Sequence, residues 1–83
     1  MRTASENIRT ILAEKIRSYR HAKNLSQEEL AEKCGLHRTY VGSVERCERN
    51  VTLSTLEVLA SALDVSVPEL LSQDSRTSPK TIS

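Results

Sequence analysis

The chain has 83 residues and a formal net charge of +1, and 37% of its residues are hydrophobic. This length fits one small domain, and no apolar run reaches the roughly 18 residues needed to span a bilayer. The chain contains two Tyr but no Phe or Trp, and only two Gly and two Pro. These counts disfavour a β-structure with many tight turns and predict a small helical domain with an aliphatic core.

Cys34 and Cys47 form no pair or His–Cys cluster with the spacing of a zinc site. No basic segment precedes an apolar one at the N-terminus, so no secretory signal is predicted. We therefore expect a cytoplasmic protein with free thiols, no metal and no cofactor. Cys34 is expected in the core, and a redox role for Cys47 is an alternative hypothesis to a structural one.

The first half of the chain predicts two helices separated by a short break. Apolar residues recur along one side of residues 6–22, which predicts helix 1. Ser26 and Glu29 have capping-box spacing, in which the serine oxygen accepts a backbone N–H and the glutamate reaches back. Helix 2 is therefore predicted over 27–34, and Gly35 is suited to end it in a left-handed conformation.

Three further helices are predicted in the second half. Helix 3 is predicted over 38–46, and helix 4 after Thr52 or Ser54, where Ser54 and Glu57 form a second possible capping box. A short helix 5 is predicted around Pro68, because proline is tolerated in a first helical turn.

These elements predict an all-α fold, one five-helix domain over 6–71. Residues 1–5 are expected to be a flexible N-terminus. Residues 72–83 are polar and are expected to be a disordered tail.

The stretch from Gln27 to Arg46 is typical of a helix-turn-helix, whose second helix enters the DNA major groove. The small Ala31 allows two helices to cross closely, Gly35 permits the sharp turn, and Leu36 fills the junction. The outward face of the second helix would present His37, Arg38, Thr39, Tyr40, Ser43 and Arg46.

Each outward residue has a candidate role in DNA binding. Arg38 can bind guanine through two hydrogen bonds, and Thr39 can contact a base edge or a thymine methyl. Tyr40 can bind a phosphate or pack on a sugar, and Ser43 can contact a base or a phosphate. Gln27 opens helix 2, where free backbone N–H groups favour a phosphate. The alternatives are structural: solvated side chains, a helix cap at Thr39, and a cover over the turn at Tyr40.

Arg46, Arg49 and Asn50, which end helix 3 and enter the following loop, are further candidates for contact with DNA. Alternatively, they form ion pairs with Glu45 or Glu48. Glu45 is expected to be structural and to hold Arg46 or the loop, because a carboxylate facing phosphates would be unfavourable.

The five-helix layout with the pattern Q-x-x-L-A-x-x-x-G-L…V-x-x-V-E-R resembles repressor and Cro-type helix-turn-helix domains, and the resemblance implies a five-helix repressor-like helix-turn-helix domain. More narrowly, the run HRTYVGSVERCERNVTLSTLEVLASAL is similar to the controller proteins of bacterial restriction–modification systems, which commonly show R-T-Y-[IV]-S-x-[IV]-E-R-G-x-R-N. The general match covers about 8–71. The resemblance implies that Arg49 reaches DNA. It also implies that a restriction endonuclease gene is activated at low occupancy and repressed at high occupancy.

Three residues depart from this pattern. Gly42 stands where serine is frequent, which puts one polar DNA contact in doubt. Cys47 replaces a glycine near the end of helix 3, so that helix end either lacks a left-handed residue or is strained. His37 is at the N-cap of helix 3, where serine or aspartate caps better.

The charge distribution predicts one face for DNA and another for self-association. Residues 51–71 contain no Lys or Arg, and they are more apolar than one small core requires. Helix-turn-helix proteins usually dimerise on pseudo-palindromic operators. The interface candidates are Val51, Leu53, Val58 and Leu71. Basic residues of helix 1 are candidates for phosphate contacts or are solvated: Arg17, Arg20 and Lys23.

The predicted function is therefore sequence-specific transcriptional regulation by a homodimer, with double-stranded DNA and RNA polymerase as partners and no membrane association. No pattern of catalytic residues is present, so we do not expect an enzyme. The alternative is a phage-type repressor or an antitoxin-like regulator that also binds a protein partner. The short polar segment after helix 5 argues against a toxin-binding arm.

Overall fold

Five α-helices and no strands are found in residues 6–72, the part of the chain that the computed structural model describes. In chain order they are α1 (Glu6–Ala22), α2 (Gln27–Cys34), α3 (Arg38–Glu45), α4 (Leu53–Leu63) and α5 (Val67–Leu71). The all-α, five-helix prediction is confirmed, although α3 ends one residue earlier than predicted. The segment 1–5 and, apart from Ser72, the predicted tail lie outside the described residues, so the domain limits stay a prediction.

Two capping boxes are present, of which the sequence predicted the first. The Ser26 hydroxyl accepts from the Glu29 backbone N–H at 2.9 Å, and the Glu29 carboxylate accepts from the Ser26 N–H at 2.8 Å. Ser66 and Glu69 repeat this arrangement at the start of α5, at 3.3 and 2.7 Å. These bonds satisfy N–H groups that have no partner inside the helix, and so they determine where α2 and α5 begin.

The predicted capping box of Ser54 and Glu57 is wrong. α4 begins at Leu53, and Thr52 is its N-cap, with the Thr52 hydroxyl accepting from the Thr55 N–H at 3.1 Å. Ser54 therefore lies within the first helical turn, where it cannot act as the cap.

The core is aliphatic, as the composition predicts. α1 packs against α3, α4 and α5, while α2 packs against α3 and α4. Ala31 is only 2% exposed, and Cys34 and Leu36 pack against the edge of the core. Burial raises the pKa of the Cys34 thiol. The buried apolar residues are Leu12, Ala13, Ile16, Leu30, Ala31, Val41, Val44, Leu56, Leu59, Ala60, Leu63 and Leu70.

Left-handed residues end both helices of the helix-turn-helix. Gly35 ends α2 with a φ of 68°, which costs glycine little. Cys47 follows α3 with a φ of 64°. A side chain in this conformation costs roughly 1–2 kcal/mol, so the second alternative for Cys47, a strained helix end, is confirmed.

Candidate nucleic-acid interface

α2 and α3 form the predicted helix-turn-helix. They are joined by a turn at 35–37, which is closed by a hydrogen bond from the Leu36 N–H to the Ala31 carbonyl at 2.9 Å. Val41 and Val44 of α3 face the core and are 1% and 3% exposed. Arg38 and Thr39, at the N-terminal end of α3, are exposed to solvent.

A buried ion pair anchors the C-terminal end of α3 to α1. Glu45 is 4% exposed and Arg20 is 8% exposed. Arg20 donates to both carboxylate oxygens of Glu45, at 2.7 Å from Nε and 3.0 Å from Nη2. Gln27 adds a third hydrogen bond to this carboxylate at 3.0 Å. The carboxylate therefore joins α1, α2 and α3 at one point.

The environment of Glu45 keeps its carboxyl group ionised. Burial alone would raise its pKa, but hydrogen bonds from Arg20 and Gln27, together with the charges of Arg20 and Arg17, outweigh burial and lower it. Arg17 also donates to the Glu45 backbone carbonyl at 2.9 Å. This bond satisfies a carbonyl in the last turn of α3 that has no N–H partner inside the helix.

Two expectations about these charges are wrong. Glu45 holds Arg20 of α1 rather than Arg46 or the loop. Arg20 is not a phosphate contact, because its guanidinium is buried against Glu45 and the Leu25 carbonyl, to which Nη1 donates at 2.9 Å. Lys23 is exposed and pairs with Asp64 at 2.9 Å.

The exposed start of α3 carries His37, Arg38 and Thr39. His37 is the N-cap of α3: its Nδ1 accepts from the Thr39 backbone N–H at 3.2 Å and lies 2.6 Å from the Thr39 hydroxyl oxygen. The expected position of all three residues on the outward face is confirmed. Their predicted contacts with DNA stay predictions.

Tyr40, Ser43 and Arg49 form a cluster on the flank of α3. The Arg49 guanidinium lies over the Tyr40 ring at 5.1 Å from its centre, a cation–π arrangement. Its Nε donates to the Ser43 hydroxyl at 3.1 Å, while that hydroxyl donates to the Tyr40 carbonyl at 2.8 Å. Ser43 is only 7% exposed, so the expectation that its side chain is exposed on the outward face is wrong. Its hydroxyl instead fixes Arg49.

Gly42 is buried between two of the candidate DNA-binding side chains. A β-carbon at this position would lie 3.2 Å from an Arg46 guanidinium nitrogen and 3.3 Å from the Gln27 side-chain oxygen. The space that a serine side chain would occupy in the family pattern is therefore shared here by Arg46 and Gln27.

Arg46 and Asn50 lie on the exposed C-terminal side of the interface. The Arg46 Nε is 3.2 Å from Glu48, and the two side chains are 60% and 56% exposed. An exposed pair of this kind contributes between about 0 and 1 kcal/mol. This bond can therefore be exchanged for a phosphate contact at little cost. The alternative interpretation of Arg46, an ion pair with Glu48, is the arrangement found in the structure.

The four predicted interface residues divide into two kinds. Leu53 and Val58 of α4 are 76% and 39% exposed, which is unusual for large apolar side chains. Val51 and Leu71 are partly buried and pack against the core of the chain. Two large apolar side chains of α4, Leu53 and Val58, are thus exposed.

Within residues 6–72, no group of three or more His, Cys, Asp or Glu side chains is arranged to hold a metal ion. None of the helices in that part of the chain is long and apolar enough to cross a membrane.

Sequence reasoning missed the buried arginine and the hydroxyl that holds Arg49. Arg20 follows Leu12 and Ile16 at helical spacing on the apolar side of α1. An arginine that continues an apolar stripe indicates a buried, paired charge, and this pattern would have found it. No comparable pattern marks Ser43, because its position depends on the loop that brings Arg49 back to α3.

Comparisons with known proteins agree with this geometry. The helix-turn-helix family profile matches residues 16–70. The chain is 69% identical over 67 residues to control protein C.SmaI of Serratia marcescens, across 81% of this chain and 80% of that protein. The restriction-modification controller protein C.AhdI from Aeromonas hydrophila has a TM-score of 0.72 at 48% identity, covering 75% of this chain and 94% of that chain. SinR, the master regulator for biofilm formation solved in complex with DNA, has a TM-score of 0.71 at 40% identity, covering 74% of this chain and 98% of that chain.

The family match includes the anchoring arginine of α1, the whole helix-turn-helix and α4. The site and the relatives therefore lead to the same assignment. The chain belongs to the helix-turn-helix family and, within it, to the controller proteins of restriction–modification systems, and it is a DNA-binding regulator of transcription.

Proposed function

We propose that this regulator is a homodimer that binds a pseudo-palindromic operator and controls its own gene together with a restriction endonuclease gene. The observation that carries the proposal is the exposed N-terminal end of α3, which presents Arg38 and Thr39 while Glu45 anchors the other end of the helix in the core. A rigid helix with one polar, exposed end is suited to the major groove.

In this proposal the contacts fall into two groups. Arg38 and Thr39 read base edges, because they lie at the start of the second helix, the part that enters the groove. Residues around them bind phosphates and determine the orientation of the protein on the duplex. This phosphate-binding group consists of Gln27, His37, Tyr40, Arg46 and Asn50.

Arg49 is proposed to bind DNA from a preorganised position. Ser43 and Tyr40 hold its guanidinium by a hydrogen bond of 3.1 Å and a ring contact of 5.1 Å. Restraining a long side chain in the free protein lowers the entropy cost of binding. Ser43 thus supports DNA binding through Arg49 instead of touching DNA itself.

The dimer is proposed to form through α4, where Leu53 and Val58 expose apolar surface. Residues 51–71 contain no Lys or Arg, so this surface has no attraction for DNA. Self-association would bury the exposed side chains and place two copies of α3 in successive major grooves, about 34 Å apart.

The gene context and the polymerase are proposed from the controller relatives. One relative is named a control protein and a structural neighbour a restriction-modification controller protein. Activation at low occupancy would require contact with RNA polymerase beside the promoter, and repression at high occupancy would follow from covering it. Both actions take place by binding, without catalysis, in the cytoplasm.

Fluorescence anisotropy tests the DNA-binding part of the proposal. The full chain is titrated with the duplex upstream of its gene and with a scrambled duplex, across a salt series near physiological strength. We expect a preference of about a thousandfold or more, which Arg38→Ala reduces while Lys33→Ala does not. Lys33 is the matched control, because it is an exposed basic residue in the last turn of α2 and is not one of the proposed DNA contacts. Equal, weak and steeply salt-dependent binding to both duplexes would contradict the proposal.

Sedimentation equilibrium tests the dimer separately. Leu53→Asp combined with Val58→Asp is expected to produce a folded monomer with weaker operator binding. Ser18→Asp, at an exposed position on α1, is the control and should remain dimeric. A dimer constant that the α4 changes leave unaltered would place the interface elsewhere.

A further inference from the structure

The contact between His37 and Thr39 at the start of α3 has a consequence for base recognition. Two atoms of Thr39 approach the same imidazole nitrogen: the backbone nitrogen lies 3.2 Å from Nδ1, and the hydroxyl oxygen lies 2.6 Å from it. Both side chains are exposed, on the face assigned to the major groove. His37 thus touches the residue proposed to read a base.

The backbone contact determines which group donates. A backbone N–H can only donate, so the Nδ1 atom that it approaches must carry a lone pair and no proton. The hydroxyl contact of 2.6 Å to that same atom then requires the Thr39 O–H to be the donor. The single hydroxyl proton of Thr39 is consequently directed at His37, and the lone pairs of its oxygen remain for other partners.

We propose that His37 makes Thr39 an acceptor-only reader of DNA, so that Thr39 selects a base bearing an exocyclic amino group in the major groove. The amino groups of adenine and cytosine are the donors available there, whereas N7 and O6 of guanine, N7 of adenine and O4 of thymine are acceptors. The inference rests on the proposed function, because it requires the start of α3 to lie in the major groove.

This role accounts for a histidine at an N-cap, where serine, aspartate or asparagine is preferred. A threonine without this restraint can rotate its hydroxyl to donate or to accept, and so it distinguishes poorly between base edges. Holding the proton on the protein side converts Thr39 into a group with one hydrogen-bonding sense. His37 is therefore a specificity-determining residue that acts through Thr39.

The test first locates the base pair that Thr39 reads. The full chain and Thr39→Val each select binding sites from a randomised duplex pool. We expect one position in each half-site at which Thr39→Val relaxes the preference. A wild-type protein that selects no sequence at all would overturn the proposed function and this inference together.

Single functional groups are then removed from the selected duplex at that position. Purine in place of adenine, or 2-pyrimidinone in place of cytosine, removes the amino group, while 7-deaza bases remove N7. Loss of one amino group should weaken wild-type binding by about three- to tenfold, the range of one net hydrogen bond, and should leave Thr39→Val binding unchanged. Loss of N7 should affect both proteins equally.

Variants of His37 complete the test. His37→Asn keeps an oxygen that can accept from Thr39, so the coupling between Thr39 and the amino group should persist. His37→Ala frees the hydroxyl to donate as well as to accept, so discrimination against a base with an acceptor in place of the amino group should fall at least threefold, while circular dichroism shows an intact helical fold. Coupling of Thr39 to N7 instead of an amino group would overturn the inference while leaving the proposed function in place. The same conclusion would follow if His37→Ala behaved as wild type.

Discussion

Replacing Arg20 by methionine should destabilise the fold severely, although Arg20 does not touch DNA in the proposed complex. The change keeps the aliphatic part of the side chain but removes three hydrogen bonds, two to Glu45 and one to the Leu25 carbonyl. Glu45 is 4% exposed, and it would remain charged with the single hydrogen bond from Gln27. Leaving one partner of a buried ion pair unpaired costs about 3–5 kcal/mol.

The lower end of this range, about 3 kcal/mol, applies here because Gln27 still donates to the carboxylate and Arg17 remains nearby. Domains of this size have a total stability of about 5–10 kcal/mol. A loss of 3 kcal/mol should lower the melting temperature by roughly 12–24 °C, at about 4–8 °C for each kcal/mol.

Urea denaturation at pH 7, followed by circular dichroism, measures this loss. Lys23→Met is the matched control, because Lys23 and Asp64 form a pair of similar length, 2.9 Å, whose side chains are 36% and 77% exposed. The control should lose much less stability than Arg20→Met, because exposed ion pairs contribute little. Equal losses in the two variants would refute the reasoning, because burial would then make no difference to the value of the pair.

A second variant separates the cost of an unpaired charge from the cost of lost packing. Arg20→Met combined with Glu45→Leu removes both charges, and it should recover a large part of the stability that Arg20→Met loses. A double variant as unstable as the sum of the two single variants would show that the two side chains act independently.

Three further predictions concern pH, the helix end and the DNA contacts. The pKa of Glu45 is lowered in the fold. Its contribution to folding stability is therefore present above the ordinary glutamate pKa of about 4.3 and is lost as the pH falls through the folded value. Urea midpoints between pH 7 and pH 3 should decline less steeply in Glu45→Gln than in wild type, and parallel curves would contradict this. Cys47→Gly should raise the free energy of unfolding by about 1 kcal/mol, because it relieves a φ of 64°, whereas a decrease in the same measurement would mean that thiol packing outweighs the strain. In anisotropy titrations, Arg46→Ala should reduce by about one the slope of the logarithm of the binding constant against the logarithm of salt concentration, without altering base preference. Arg38→Ala should weaken operator binding by about 1–3 kcal/mol and relax the preference at one position. The opposite result would exchange the proposed roles of the two arginines.

The helix limits could be predicted because their determinants are local. Ser26 and Glu29 are three residues apart, and the bonds between them require no other part of the chain. The error at α4 has a local cause as well. Thr52 and Ser54 both have hydroxyls that can cap, and the pattern does not show which one precedes the first helical residue.

Contacts between distant elements were harder to predict. Glu45 accepts from Arg20 across 25 positions of sequence and from Gln27 across 18. The periodicity of α1 could show that Arg20 is buried, but its partner depends on how α1 crosses α3. Long polar side chains have several acceptors within reach on a helical surface, and only the packed arrangement selects one of them.

The division between reading and supporting residues has the same physical origin. Helical spacing places Thr39 and Ser43 on one side of α3, which made both residues candidates for contact with DNA. The loop after Cys47 returns Arg49 to that side and covers Ser43, so the second hydroxyl is committed inside the protein. The hydroxyl of Thr39 remains exposed, but His37 holds its proton. The intramolecular partner of each hydroxyl therefore determines what that hydroxyl can do for DNA recognition. Helical periodicity alone does not predict these hydrogen bonds.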